Sequence, residues 1–161
     1  MRVGPVIANN TPLVAYWSIS RLDILQTLFE EILIPPAIRD EFLASIPLDR
    51  FQSLLIAPWI KVVPLARPSA VDAFAGLDRG EAEVIALAQV QEARLVLLDE
   101  RRARRYATRM SLPVSGTLGV LLLAKQEGLI EAVKPLMSGL IDSGLYVHRD
   151  LVDRITLLAG E

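Results

Sequence analysis

Apolar residues in this chain come in short continuous runs that stop abruptly at polar, charged or proline residues, with helical spacing between the runs. Val3 to Ala8 ends at Asn9-Asn10, Glu31 to Ile34 ends at Pro35-Pro36, and Leu95 to Leu98 ends at Asp99. Runs this short, bounded by turn or charge signals, read as strands buried on both faces of a parallel sheet. Ile60 to Leu65 predicts one more strand, at an edge, and Leu112 to Val114 another short one.

The intervening stretches predict helices. Thr11-Pro12 reads as an N-cap followed by proline at the first helical position, opening helices over Leu13 to Ile19 and Leu22 to Phe29 with a break near Ser20-Arg21. A third helix runs from Pro35-Pro36 to about Ala44. Asp78-Arg79-Gly80-Glu81 opens a strongly periodic helix to Gln91, with Val84, Ile85, Leu87 and Ala88 inward. An arginine-rich helix follows Asp99 to about Arg109, and three helical segments near 117–126, 130–142 and 149–159 complete the chain. Ile46 to Trp59 gives no clear pattern, because Pro47 and Pro58 interrupt it. Strands alternating with helices predict an α/β fold with a mainly parallel sheet. No repeat, low-complexity segment or flexible linker divides residues 1–161, so a single domain is expected.

Composition narrows the chemistry. The hydrophobic fraction of 52% and mean hydropathy of +0.40 exceed those of a typical soluble domain, which points to apolar surface shared between subunits and so to a homodimer. A net charge of −2 and a pI near 5.5 leave nucleic-acid binding to a local basic patch. The absence of cysteine removes disulfides, thiol nucleophiles and thiolate metal sites. A single histidine removes His-His metal sites and leaves a Ser-His-Asp triad only through His148, whose place at a helix start in YVHRD reads as structural. There is no GxxxxGK[ST] phosphate loop and no GxGxxG fingerprint. The N-terminus lacks the apolar core of a signal peptide and no apolar run reaches about 18 residues, so a cytoplasmic protein with no membrane association is expected.

What remains is oxygen chemistry. Parallel sheets bind ligands beyond the carboxyl ends of their strands. Asn9 and Asp99 each follow a predicted strand, so both emerge at that edge. Glu41 lies about one and a half turns into the helix after the second strand, and Glu81 starts the helix before the central strand. These four side chains can converge on one cleft, where a hard cation such as Mg²⁺ or Mn²⁺ prefers oxygen ligands. Such a site suits metal-assisted hydrolysis of phosphodiesters.

Each member also has a plainer reading. Asp78 and Glu81 have capping-box spacing, Asp40 and Glu41 fit a solvated helix face, and Asn9 and Asp99 can serve as helix caps. Glu83 reads as a surface residue or as an outer partner of the site. Arg101, Arg105 and Arg109 share one helical face, with Arg102 and Arg104 nearby. That face is either a phosphate-binding stripe or a solvated surface paired with acidic neighbours. Tyr106 reads as a buried aromatic, or else as a platform for a base.

The segments IANNTPLVA, ILIPPAIRDEF, LDRGEAEVIALA, LVLLDERRARRYA, SGTLGVLLLAKQEGLI and GLYVHRDLVDRITLLAGE together give the chain a resemblance to the PIN-domain family of metal-dependent nucleases. It is most similar to a prokaryotic branch like the VapC-type toxins, and the resemblance covers nearly the whole chain in order. It implies a three-layer α/β/α sandwich, a Mg²⁺ or Mn²⁺ site, and hydrolysis of RNA by an activated water. Asn9, Glu41, Glu81 and Asp99 stand at the four positions that are usually acidic in the family. Thr11 and Thr117 stand where polar residues border the site, and Arg101, Arg102 and Arg105 would meet the RNA. A small antitoxin protein and a homodimer are the partners it implies. Asn9 departs from the pattern, since asparagine keeps a carbonyl oxygen but loses the charge. Its alternative consequence is a catalytically weakened module that binds RNA or protein.

Overall fold

The computed structural model describes residues 3–44, 53–54 and 56–161. Among these, five short strands form one sheet: β1 (Val6–Ala8), β2 (Ile32–Ile34), β3 (Ile60–Val62), β4 (Leu95–Leu97) and β5 (Val114–Ser115). Their order is β3-β2-β1-β4-β5, and every pairing is parallel. Ile7 of the central β1 lies opposite Leu33 on one side and Val96 on the other. β1 and β2 are buried throughout, which is why their sequences are uninterrupted apolar runs rather than alternating ones. β3 is an edge strand, as its sequence predicts. It turns Lys61 and Val62 to solvent, and Lys61 pairs with Glu31 at 2.6 Å.

The strands are shorter than their apolar runs. Pro5, Pro35, Pro64 and Pro113 lie at or next to strand ends and have no N–H to continue a ladder. The helices are α1 (Asn10–Ser18), α2 (Leu22–Phe29), α3 (Pro36–Ala44), α4 (Arg79–Val90), α5 (Arg101–Arg109), α6 (Thr117–Gln126), α7 (Lys134–Asp142) and α8 (Arg149–Leu158), with a 3₁₀ turn at Pro68–Ala73. α1 starts earlier than Thr11-Pro12 suggests. Its N-cap position is Asn9, and Pro12 sits in the first turn, where a missing N–H leaves no intrahelical bond unmade. α7 starts later than expected, with Pro135 in its first turn. Most of the uninformative Ile46 to Trp59 stretch lies outside the described residues.

From β1 the chain steps to β2 and β3 across one half of the sheet, then returns to β4 and β5 in the other half. Right-handed crossovers in opposite directions put their helices on opposite faces, which gives three layers. α6 and α7 pack with α1, and α4 packs with α5. β1 and β4 are neighbours whose chains leave in opposite directions. The crevice beyond their carboxyl ends is therefore the switch point where open α/β sheets bind ligands. No helix among the described residues is long and apolar enough to cross a membrane.

Candidate active site

A cleft of about 560 Å³ opens at that switch point, and Asn9, Glu41, Glu81 and Asp99 all line it. Asn9 is held by backbone pairing: its N–H donates to the Leu97 carbonyl at 2.9 Å, which extends the β1–β4 ladder past the last strand residue. It occupies the N-cap position of α1, yet its side chain makes no capping bond and is only 7% exposed. The neighbouring Asn10 also lines the cleft, and its buried side-chain oxygen has no hydrogen-bond partner among the described residues.

Asp99 is the most firmly held of the four. Thr117 donates its backbone N–H to Oδ1 at 2.8 Å and its hydroxyl to Oδ2 at 2.6 Å, so both carboxylate oxygens are oriented. Thr117 is fully buried, and Tyr16 donates its hydroxyl to the Thr117 carbonyl at 2.9 Å. Burial, with the Asp99 charge adding, pushes the Tyr16 hydroxyl far above its ordinary pKa, so it stays a proton donor. Gly116 makes room for the carboxylate, because a Cβ there would sit 2.8 Å from Asp99 Oδ1. Asp99 does not cap the arginine helix. Glu100 does, accepting from the Arg102 N–H at 3.2 Å.

Glu81 takes both of its readings at once. Asp78 accepts from the Glu81 N–H at 2.8 Å and Glu81 accepts from the Asp78 N–H at 3.3 Å, a complete capping box, while Glu81 also lines the cleft. Glu41 reaches the same cleft from α3 by lying over Gly80, where a Cβ would overlap its carboxylate and Ile38. Burial pushes the Glu41 carboxyl above the ordinary range, and the charges of Asp78, Glu81 and Glu83 push the same way. Burial and the Asp78 charge raise Glu81 too, against the lowering effect of its backbone hydrogen bond. Glu83 is not a surface residue. It is buried on α4 with Arg79 Nε at 3.4 Å, and it acts on the cleft through its charge on Glu41.

Thr11 lines the cleft and is exposed. Asp78 and Glu100 line it as well, so the acidic wall is wider than the four positions singled out by sequence. Arg101 and Arg105 line an adjoining groove that meets the cleft at Asp99. Arg102 lines neither space, and its guanidinium donates to the Gly76 carbonyl at 3.0 Å. Tyr106 is a packed aromatic, edge-on to Phe74 at 5.6 Å and bonded through its hydroxyl to the Ala75 carbonyl at 2.8 Å. His148 is exposed at the N-cap of α8, where Nδ1 accepts from the Asp150 N–H at 3.2 Å. Sequence reasoning passed over Tyr16, although it lies two helical turns beyond Asn9, and over Tyr146, an 89% exposed aromatic on the cleft rim.

A family model of the PIN domain, DUF3368, matches residues 5–161. The chain belongs to the PIN-domain family. No curated protein matches it significantly. PIN domains are nuclease-like folds, and nucleases built on them generally use divalent metals. The residues of this PIN domain fit such a cation by the chemistry of the donor set: the polar side chains of the cleft are carboxylates, amides and hydroxyls, burial and neighbouring acidic charges raise two of the carboxyls, and a buried amide oxygen in the same cleft is unpaired among the described residues. Among the described residues no three acidic or histidine side chains already stand in ligating positions.

Proposed function

We propose that this PIN domain is an endoribonuclease dependent on Mg²⁺ or Mn²⁺, and the toxin-like member of a toxin–antitoxin pair. The observation that carries this reading is the meeting of Asn9, Glu41, Glu81 and Asp99 in one cleft at the switch point of the sheet. Glu41, Glu81 and Asp99 would hold the cation, and Asn9 would contribute its neutral carbonyl oxygen. A divalent ion there supplies a water of lowered pKa and positive charge beside the phosphate. Thr117 keeps both oxygens of Asp99 oriented, and Thr11 is placed to meet substrate at the rim. Arg101 and Arg105, in the neighbouring groove that meets the cleft at Asp99, would position the phosphates. A small antitoxin protein and a second copy of the chain are the partners that belong to this reading.

The test is incubation of purified protein with mixed single-stranded RNAs in Mn²⁺, Mg²⁺ or EDTA, alongside Asp99→Asn. Cleavage is expected only with metal, and Asp99→Asn should lower it by about a hundredfold or more while leaving the fold in place. Unchanged cleavage by that variant would remove the mechanism. A second reading, a weakened binding module, is favoured by the neutral Asn9 and by the lack of a ready three-carboxylate cluster among the described residues. It predicts RNA binding without turnover, with cleavage gained by Asn9→Asp.

A further inference from the structure

The groove that meets the acidic cleft at Asp99 has a volume of about 790 Å³ and is lined by α5, α8 and the segment from β5 into α6. Along α5 it is lined by Arg101, Arg104, Arg105 and Arg109, and α8 contributes Arg154. Among the described residues none of the five arginines is in an ion pair, and Asp99 is the one carboxylate that lines the groove. Arg104 is tied to the Leu98 carbonyl at 2.9 Å, and Arg109 lies over the Tyr106 ring at 5.7 Å. The arginine face is therefore exposed to solvent yet not paired with acidic neighbours among the described residues. In a protein of net charge −2, five cations gathered with a single carboxylate in the same lining form a local field that attracts a polyanion.

The rest of the lining selects among polyanions. Leu151 (43% exposed) and Leu158 (61% exposed) line the groove from α8, together with the buried Ile155. A nucleic-acid duplex presents phosphates and hides its base faces, so it would set its charged backbone against these leucines. A single strand exposes base faces that apolar surface accepts, while its phosphates reach the arginines. An acidic amphipathic peptide would match the same charge pattern. Continuity with the acidic cleft through Asp99 favours the strand that is to be cut there.

We propose that the groove between α5 and α8 is the binding path of single-stranded RNA, and that α8 makes it selective against duplex. This rests on the reading of the acidic cleft as a ribonuclease site. The test measures binding of a labelled short single-stranded RNA by fluorescence anisotropy, in EDTA so that the strand survives. Arg105→Ala and Arg154→Ala, both at exposed positions, are expected to weaken binding about fivefold each and to flatten the slope of log Kd against log salt by about 0.7 each. Arg149→Ala, on α8 but outside the groove, should change neither, and the duplex of the same sequence should bind more weakly. The proposal is overturned by an unaltered Kd in Arg154→Ala, by an equal loss in Arg149→Ala, or by duplex binding as tight as single strand. Absence of RNA binding, with capture of an acidic leucine-containing peptide instead, would also overturn it. Failure to cleave RNA in Mn²⁺ overturns the hydrolytic reading alone, because the path is judged by binding in EDTA.

Discussion

Asp99 is fixed by a single residue that spends both of its donors on it, so the Thr117 side chain offers a clean probe of how much orientation matters. Thr117→Val keeps the shape and the backbone bond but removes the 2.6 Å hydroxyl contact. A hydrogen bond to a charged group contributes about 1.5–3 kcal/mol, and a loosened catalytic side chain costs roughly ten- to a hundredfold in rate. Thr117→Val should therefore lower cleavage by that factor, and Thr117→Ser, which retains the hydroxyl, should restore most of it. Chemical denaturation alongside the cleavage assay separates the two effects. If both variants cleave equally slowly, orientation by the hydroxyl is not what matters. Tyr16, fully buried and bonded to the Thr117 carbonyl, extends the same support one layer inward.

At the scale of elements, the placement of α8 depends on Glu161. Its carboxylate accepts from the Val133 N–H at 2.7 Å, the Lys134 N–H at 3.1 Å and Lys125 Nζ at 2.9 Å, while Lys125 also donates to the Ala159 carbonyl at 2.6 Å. The chain after α8 is thus clamped to the end of α6 and to the start of α7, where exposed N–H groups favour an anion. Those hydrogen bonds hold the Glu161 carboxyl near 2, below its ordinary 4.5. Because the folded-state pKa is depressed, the stabilisation is present above the ordinary value and is lost as pH falls from about 4.5 toward 2. Glu161→Gln should melt earlier than the parent at pH 7, and the gap should close across that acidic window. Melting curves at several pH values would show it, and a gap independent of pH would mean that the carboxylate charge plays no part.

For the whole molecule, the acidic cleft carries an electrostatic cost, since burial and neighbouring acidic charges disfavour the charged forms of Glu41 and Glu81. The raised Glu41 and Glu81 have the opposite sign to Glu161: their contribution to stability is most favourable below 4.5 and is lost as pH rises through their elevated values. Metal-free protein should accordingly gain stability from Glu41→Gln at neutral pH. Mn²⁺ should raise the melting temperature more at pH 8 than at pH 5, since ligands must lose protons to bind. At a hundredfold excess over Kd the rise should be on the order of 5–10 °C. Equal shifts at both pH values, or an undiminished shift in Asp99→Asn, would remove the cleft as the metal's place.

The sequence by itself determined what depends on neighbours along the chain. Apolar runs closed by Asn9 and Asp99 had to be strands buried on both faces, and parallel pairing then sends both residues to one edge. The Asp78-x-x-Glu81 spacing produced its capping box by local geometry alone. Only the tertiary structure decided the rest. Thr117 meets Tyr16 across 101 positions of sequence and Asp99 across 18, and no periodicity records such pairs. Glu83 is buried because α4 is covered on that side, and Arg102 turns away because the Gly76 carbonyl is within reach. Arg154 shares a groove with the α5 arginines because the fold brings α8 to the same space, 45 positions or more along the chain from them. Backbone preferences and burial patterns are local and legible. Which side chains meet across the molecule is settled by packing, where every element must fit all the others at once.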